Sequence, residues 1–169
     1  MKLISDEYKE QNRLLHESKT KFGQRGHRHL NQVRKLYKEY KCSSIIDYGC
    51  GKADLSKACR VKVQNYDPGI PEYDIDPDSA DLVVCTDVLE HIEPELLDNV
   101  LSHLQELTLK VGWFVIATRY DRSKTLPDGS NPHRVVKPGK WWKAKLSNYF
   151  TIEQFLDGGG EAYCTLLKR

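Results

Sequence analysis

Hydrophobic and polar positions alternate at two periods along this chain, and each change of period marks an element. Leu30, Val33, Leu36, Tyr37 and Tyr40 recur at helical spacing, so the chain from about Asp6 to Lys41 reads as helix, interrupted at Phe22-Gly23-Gln24-Arg25-Gly26. The piece before that break, Tyr8 to His16, is less clearly periodic. Ser44-Ile45-Ile46 predicts a short strand, a helix follows from Leu55 to about Arg60, and Val61 to Tyr66 alternates as a second strand. Asp81-Leu82-Val83-Val84-Cys85-Thr86-Asp87 is the clearest apolar, β-branched run and predicts a buried strand. Pro94 suits a first helical turn, after which Leu96, Leu97, Val100, Leu101, Leu104 and Leu107 form one apolar face that belongs to a core. Gly112 then ends the connection to a strand over Trp113 to Ala117. Lys140 to Leu146 predicts a short amphipathic helix, and Tyr149 to Phe155 and Ala162 to Leu167 flank a glycine turn as a hairpin. Strands alternating with helices predict an α/β fold.

The stretch Asp47-Tyr48-Gly49-Cys50-Gly51-Lys52-Ala53 joins the first strand to a helix. Two glycines allow a sharp turn and a close backbone approach to a ligand, and a turn feeding a helix is expected to aim backbone N–H groups into the crevice at the strand's carboxyl end. Asp67-Pro68-Gly69 ends the second strand about twenty residues beyond Asp47, the spacing of a ribose-binding carboxylate. Simpler readings stay open: a Gly-x-Gly turn without a ligand, a nicotinamide-binding turn, or a turn aspartate before proline. The acid at 47 favours a cationic, amine-bearing ligand.

Composition narrows the class. A chain of 169 residues with a net charge of +2 and no run approaching about 18 apolar residues fits one globular domain, and the first residues lack the apolar core of a signal peptide. Five cysteines, odd in number and widely spaced, read as reduced, which favours the cytoplasm, and no Cys or His spacing predicts a metal. Gln64 to Leu109 contains neither Lys nor Arg, whereas the flanks are basic, so an acidic rim and basic surroundings are expected, or simply solvated charge.

The acid followed by Gly-x-Gly, with Ala53 at the third small position, resembles the first motif of the class I S-adenosylmethionine-dependent methyltransferases. The resemblance implies a Rossmann-like, doubly wound sheet, mostly parallel with a C-terminal antiparallel hairpin, with residues 1–41 as a helical cover and 42–169 as the core. It implies S-adenosylmethionine as cofactor, held by Asp47, Gly49, Cys50, Gly51, Asp67, Thr86, Asp87 and Val88. Cys50 also reads as a small residue tolerated beside the ligand. The connection between Asp67 and Asp81 is too short for the full helix and strand that larger members place there, so a shortened adenine side is expected. Asp74 and Asp76 are candidates for the adenine amino group, or members of a solvated acidic loop. Phe22 to Arg28 is either part of the closing cover or a plain loop. The loop with Leu126-Pro127-Asp128-Gly129 and Asn131-Pro132-His133 before Trp141-Trp142 looks like small bacteriophage-encoded methyltransferase-like proteins, which would place the chain in a host cytoplasm.

Methyl transfer is an in-line displacement that needs alignment and exclusion of water more than a fixed catalytic set. A hydroxyl or protonated amine acceptor is helped by a base, and His133 is the candidate, with a loop-stabilising role as its alternative. Arg119, Tyr120, His133 and Trp141 are candidates for contacting the acceptor. Glu90 and His91 read either as an acid and base pair or as braces for their turn. Lys137, Lys140, Lys143 and Lys145 with the two tryptophans admit a nucleic-acid partner, though packing of the indoles on the core is the simpler account. A cofactor-binding module that transfers nothing and acts through a partner is the competing class.

Overall fold

The computed structural model describes residues 1–18, 26–123 and 125–169. Its centre is a six-stranded sheet of β1 (Ile45–Tyr48), β2 (Gln64–Tyr66), β3 (Ala80–Thr86), β4 (Thr108–Ala117), β5 (Phe150–Gly158) and β6 (Glu161–Lys168). The order across the sheet is β2-β1-β3-β4-β6-β5. β1 pairs in parallel with β2 and β3, β3 pairs in parallel with β4, and β6 runs antiparallel to both β4 and β5. The expected α/β sheet with a closing antiparallel hairpin is therefore present. Tyr48 lies opposite both Tyr66 and Cys85, so the three parallel strands reach their carboxyl ends at one level.

Helices cover both faces: α1 (Asp6–Ser18), α2 (Leu30–Glu39), α3 (Asp54–Ala58), α4 (Leu97–Leu107) and α5 (Gly139–Leu146). Alternation along the strands sorts the core into two layers. Ile46, Tyr48, Val83, Cys85, Phe114 and Ile116 meet α4 and α5, whereas Ile45, Leu82, Val84, Val111 and Trp113 meet Val33 and Leu36 of α2 and Leu55 of α3. The apolar stripes legible in the α2 and α4 sequences are thus the faces that pack on the sheet. A third, smaller cluster of Tyr8, Leu15 and Leu126 fastens α1 to the loop beyond β4.

Several boundaries differ from the sequence pattern. α3 begins at Asp54, because Ala53 sits in the left-handed region (φ 57) and cannot start the helix. β2 covers only Gln64–Tyr66, leaving Val61 to Val63 outside it. Gly112 lies inside β4 and ends no connection: α4 runs directly into the strand at Thr108, whose Oγ1 donates back to the Leu104 carbonyl at 2.7 Å. Between Asp67 and Ala80 there is a single 3-10 turn, Pro71–Tyr73, and no strand, as the short connection implied. Of the segment Phe22 to Arg28, residues 22–25 lie outside the described residues. Among the described residues no helix is long and apolar enough to cross a membrane.

Trp142 is fully buried between α5 and the sheet, and its indole nitrogen finds no hydrogen-bond partner among the described residues. Its contribution is packing, so Trp142→Ala is expected to cost about 3–5 kcal/mol in denaturant unfolding. Trp142→Phe, which removes the orphan donor, should cost clearly less.

Candidate functional site

The level ends of β1, β2 and β3 open onto a cavity of about 730 Å³, a volume within the range of roughly 300–1,000 Å³ that small-molecule sites occupy. Its floor is the turn after β1. The Tyr66 carbonyl accepts both the Gly49 N–H (2.7 Å) and the Cys50 N–H (3.1 Å), and Asp67 Oδ2 accepts the Gly51 N–H (3.0 Å). The turn's donors are therefore spent on β2 and its extension and do not point into the crevice as expected from the motif. The glycines serve shape: Gly49 (φ +72) and Gly51 (φ 52) are in the left-handed region, and a Cβ on Gly49 would lie 2.3 Å from Val88 Cγ2. The five-residue α3 adds no helix-end site.

Two carboxylates face each other over this floor. Asp67 also accepts the Gly69 N–H through Oδ1 (2.9 Å), so it stitches the turn after β1 to the turn after β2. Asp67 also lines the cavity, so its carboxylate is at the wall as well as in the stitch. Asp47 sits inside the sheet at 4% exposure and still lines the cavity. Burial, then repulsion from Asp67 and Asp54, pushes its carboxyl up to about 7, and among the described residues no basic group offsets them.

The opposite wall comes from the end of β3 and from the loop after β4. Thr86, Asp87 and Val88 line it, Asp87 with φ 56. Glu90 is fully buried: Oε1 accepts the Ala117 N–H (3.0 Å), and the Glu90 backbone carbonyl accepts the Arg134 and Val135 N–H groups (2.7 and 2.9 Å). Burial, then Asp87, pushes its carboxyl up to about 8. The loop from Arg119 to Val135 is thereby clamped against the turn Leu89–His91. Asn131 holds its bend by accepting the His133 N–H (2.9 Å) and donating to the Asp121 carbonyl (2.7 Å). α1 closes the remaining side with Tyr8 and Asn12, while the Ser5 N–H donates to Glu93 Oε2 at 2.8 Å and the Tyr8 hydroxyl to the Pro132 carbonyl at 3.4 Å.

Of the residues singled out in the sequence, Asp47, Gly49, Cys50, Gly51, Asp67, Thr86, Asp87, Val88, Arg119 and His133 all line the cavity. Tyr120 and Trp141 do not. Tyr120 is 63% exposed, and Trp141 packs on the core at right angles to Trp142, with Lys137 over its ring. Asp74 and Asp76 are also outside, Asp74 pairing with Lys9 of α1. The Cys50 thiol is raised far above its ordinary range, chiefly by burial and then by Asp67 and Asp47, so it is not a nucleophile. His91, read with Glu90 as an acid and base pair or as a brace for its turn, also lines the cavity, with its ring against that of His133. Three cavity features were not singled out: Tyr8, Asn12, and the glycine hairpin at Gly159 and Gly160, whose neighbour Glu161 faces Arg119 at 3.5 Å. The hairpin is brought there by the β4–β6 pairing, which no local signal announces.

A doubly wound sheet with a glycine turn between two acids at its carboxyl edge is a Rossmann-like α/β arrangement. A sequence profile described as a methyltransferase domain matches residues 9–157, and the chain belongs to that family. No curated protein matches the chain by sequence. The fold is similar to that of magnesium protoporphyrin IX methyltransferase (ChlM) from Synechocystis PCC 6803 with bound SAH: 16% identity, 85% of this chain and 84% of that chain covered, TM-score 0.59. It is also similar to N-methyltransferase NodS from Bradyrhizobium japonicum WM9 in complex with S-adenosyl-l-homocysteine, at 13% identity, 83% and 86% coverage and TM-score 0.55. An O-methyltransferase family protein from Burkholderia thailandensis matches at 12% identity and TM-score 0.53 over 85% of this chain, which spans 58% of that longer one.

The position of Asp47 carries a pH signature. Its folded-state value lies above that of an unfolded aspartate, so the folded protein holds the proton more tightly and stability falls as pH rises between about 4 and 7. Asp47→Asn removes that penalty. The variant is expected to melt no lower than wild type at about pH 8, with a flatter dependence of melting temperature between about pH 5 and 7 in calorimetric scans.

Proposed function

We propose that the protein is an S-adenosylmethionine-dependent methyltransferase whose cofactor occupies the cavity above the Gly49–Gly51 turn. The observation that carries this reading is the buried Asp47 carboxyl, uncompensated by any basic group among the described residues and open to a cavity of suitable volume. The residues fit such a ligand: Asp47 offers a counter-charge to an ammonium, Asp67 a carboxylate for the ribose side, and Gly49 a turn that packs on Val88 too closely for any side chain. When bound, S-adenosylmethionine supplies a methyl group on a positively charged sulfur. The protein's own work is then to hold that group between Asp47 and the wall formed by Thr86, Asp87 and Val88, and to exclude water with α1. The SAH and S-adenosyl-l-homocysteine bound in the Synechocystis and Bradyrhizobium neighbours support the same reading.

The acceptor enters on the side of Arg119 and His133. His133 Nδ1 donates to the Arg119 carbonyl at 2.5 Å, since a carbonyl only accepts, which leaves Nε2 as the basic nitrogen of the neutral ring. We assign His133 to activation of an acceptor hydroxyl or amine, and Arg119, ion-paired with Glu161, to its orientation. Two of the three basic residues of α5 are engaged within the fold, Lys145 with Asp98 at 2.6 Å and Lys143 over the Phe155 ring, while Lys140 is exposed, so a small molecule or an accessible side group is a better acceptor than a nucleic acid. All five cysteines are free, in keeping with a reducing cytoplasm. The short connection between Asp67 and Ala80 favours, as a second reading, a module that binds the cofactor and transfers nothing.

Calorimetry with S-adenosylhomocysteine is expected to show binding that weakens at least about 10-fold in Asp47→Asn. Methyl-labelled S-adenosylmethionine offered with a panel of hydroxyl, amine and nucleic-acid acceptors should label one class. Absence of binding overturns the proposal, and binding without label on any acceptor selects the module.

A further inference from the structure

Glu90, His91 and His133 converge at the acceptor end of the cavity, where one donor atom from each lies within 4.8 Å of the other two. Glu90 is fully buried, and while Oε1 is satisfied by the Ala117 N–H, Oε2 has no hydrogen-bond partner among the described residues. An orphaned buried carboxylate oxygen is costly, and its presence in a native fold calls for a missing partner. The two imidazoles are held in a particular way. His91 Nδ1 lies 2.9 Å from the Pro132 carbonyl and His133 Nδ1 lies 2.5 Å from the Arg119 carbonyl. Because a carbonyl only accepts, each Nδ1 carries the hydrogen, and the lone pair of each neutral ring is on Nε2. Imidazoles that ligate metals are oriented by such second hydrogen bonds. The set is also preorganised, since the Arg134 and Val135 N–H groups both donate to the Glu90 carbonyl and lock the His133 loop onto the turn that carries Glu90 and His91.

We propose that Glu90 Oε2, His91 Nε2 and His133 Nε2 bind one divalent first-row transition-metal ion. Two imidazoles and a carboxylate suit zinc, manganese, iron or cobalt, and three protein ligands leave a coordination position open. Donors around a zinc ion with bonds of roughly 2.0–2.2 Å stand about 3.3 Å apart, so ligation draws closer three residues that already bring a donor atom each within 4.8 Å of the others. His91 and His133 line the cavity, and Asp87 adds negative charge beside Glu90, so the open position faces the acceptor. Resting on the methyltransferase reading, this deepens it: an acceptor oxygen bound to the ion loses its O–H proton to water more readily, making oxygen the methylated atom class. His133 then activates the acceptor through the ion, and its Nε2 is no longer a direct proton acceptor.

Full-length protein stripped with a chelator would be titrated with Co2+ under visible absorption and with Zn2+ by calorimetry. Wild type is expected to bind one ion per chain with the visible bands of four- or five-coordinate cobalt. His133→Ala and Glu90→Gln should each weaken binding by at least about 100-fold, with melting temperature and S-adenosylhomocysteine affinity recorded on the same samples as controls of fold. A wild type that binds no ion, or binding that neither substitution weakens, overturns the proposal and leaves Glu90 as a buried neutral acid. Binding of S-adenosylhomocysteine is read separately, so failure of the metal site and failure of the cofactor reading are distinct results.

Discussion

The carbonyl of Tyr66 accepts two hydrogen bonds from consecutive amides, Gly49 and Cys50, and this bond fixes where the chain leaves the sheet. It extends the β1–β2 pairing past the last ladder residue and turns the backbone back under Val88, against which Gly49 is packed too closely for any side chain. Asp67 completes the stitch through Gly51 and Gly69. Since β2 spans only Gln64–Tyr66, these few bonds hold that edge of the sheet open above the cavity. Every other wall is measured from this one.

The second constraint is electrostatic. Asp47 and Glu90 are both placed where burial favours the neutral acid, and the charges of Asp67 and Asp54 on the one and Asp87 on the other add to the strain. Keeping such groups costs stability in the empty protein, and that cost is returned only by something positively charged or proton-donating. Asp47 lines the cavity under the proposed ammonium, and Glu90 lies buried next to the His91 and His133 that line it, beside the proposed ion.

The third is closure. The Arg119–Val135 loop is irregular, yet it is tied down by backbone bonds to Glu90 and by the Asn131 side chain, and α1 is tied to that loop in turn through Tyr8 and Leu126. Arg134 extends the seam by lying over the Tyr8 ring. The amino-terminal helix thus rests on a loop from the far end of the chain, and neither borders the cavity without the other.

Local physics made much of this legible in the sequence. The apolar stripes of α2 and α4, the unbroken β3 run and the Asp47–Gly51 turn were readable because helical and strand periods, and the need for glycine at positive φ, act over a few residues. The missing strand before β3 was readable from the short connection once the family resemblance said what larger members place there. What the sequence could not determine is whatever depends on segments meeting. The amides of the glycine turn look inward because β2 claims them, Trp141 is drawn onto the core by Trp142 beneath it, and the hairpin at Gly159 reaches the cavity only through the β4–β6 pairing. Glu90 and His91 on one turn and His133 on a distant loop have no ligand spacing. They become neighbours because one carbonyl, that of Glu90, accepts two amides from the loop, a choice made in three dimensions and invisible to any local rule.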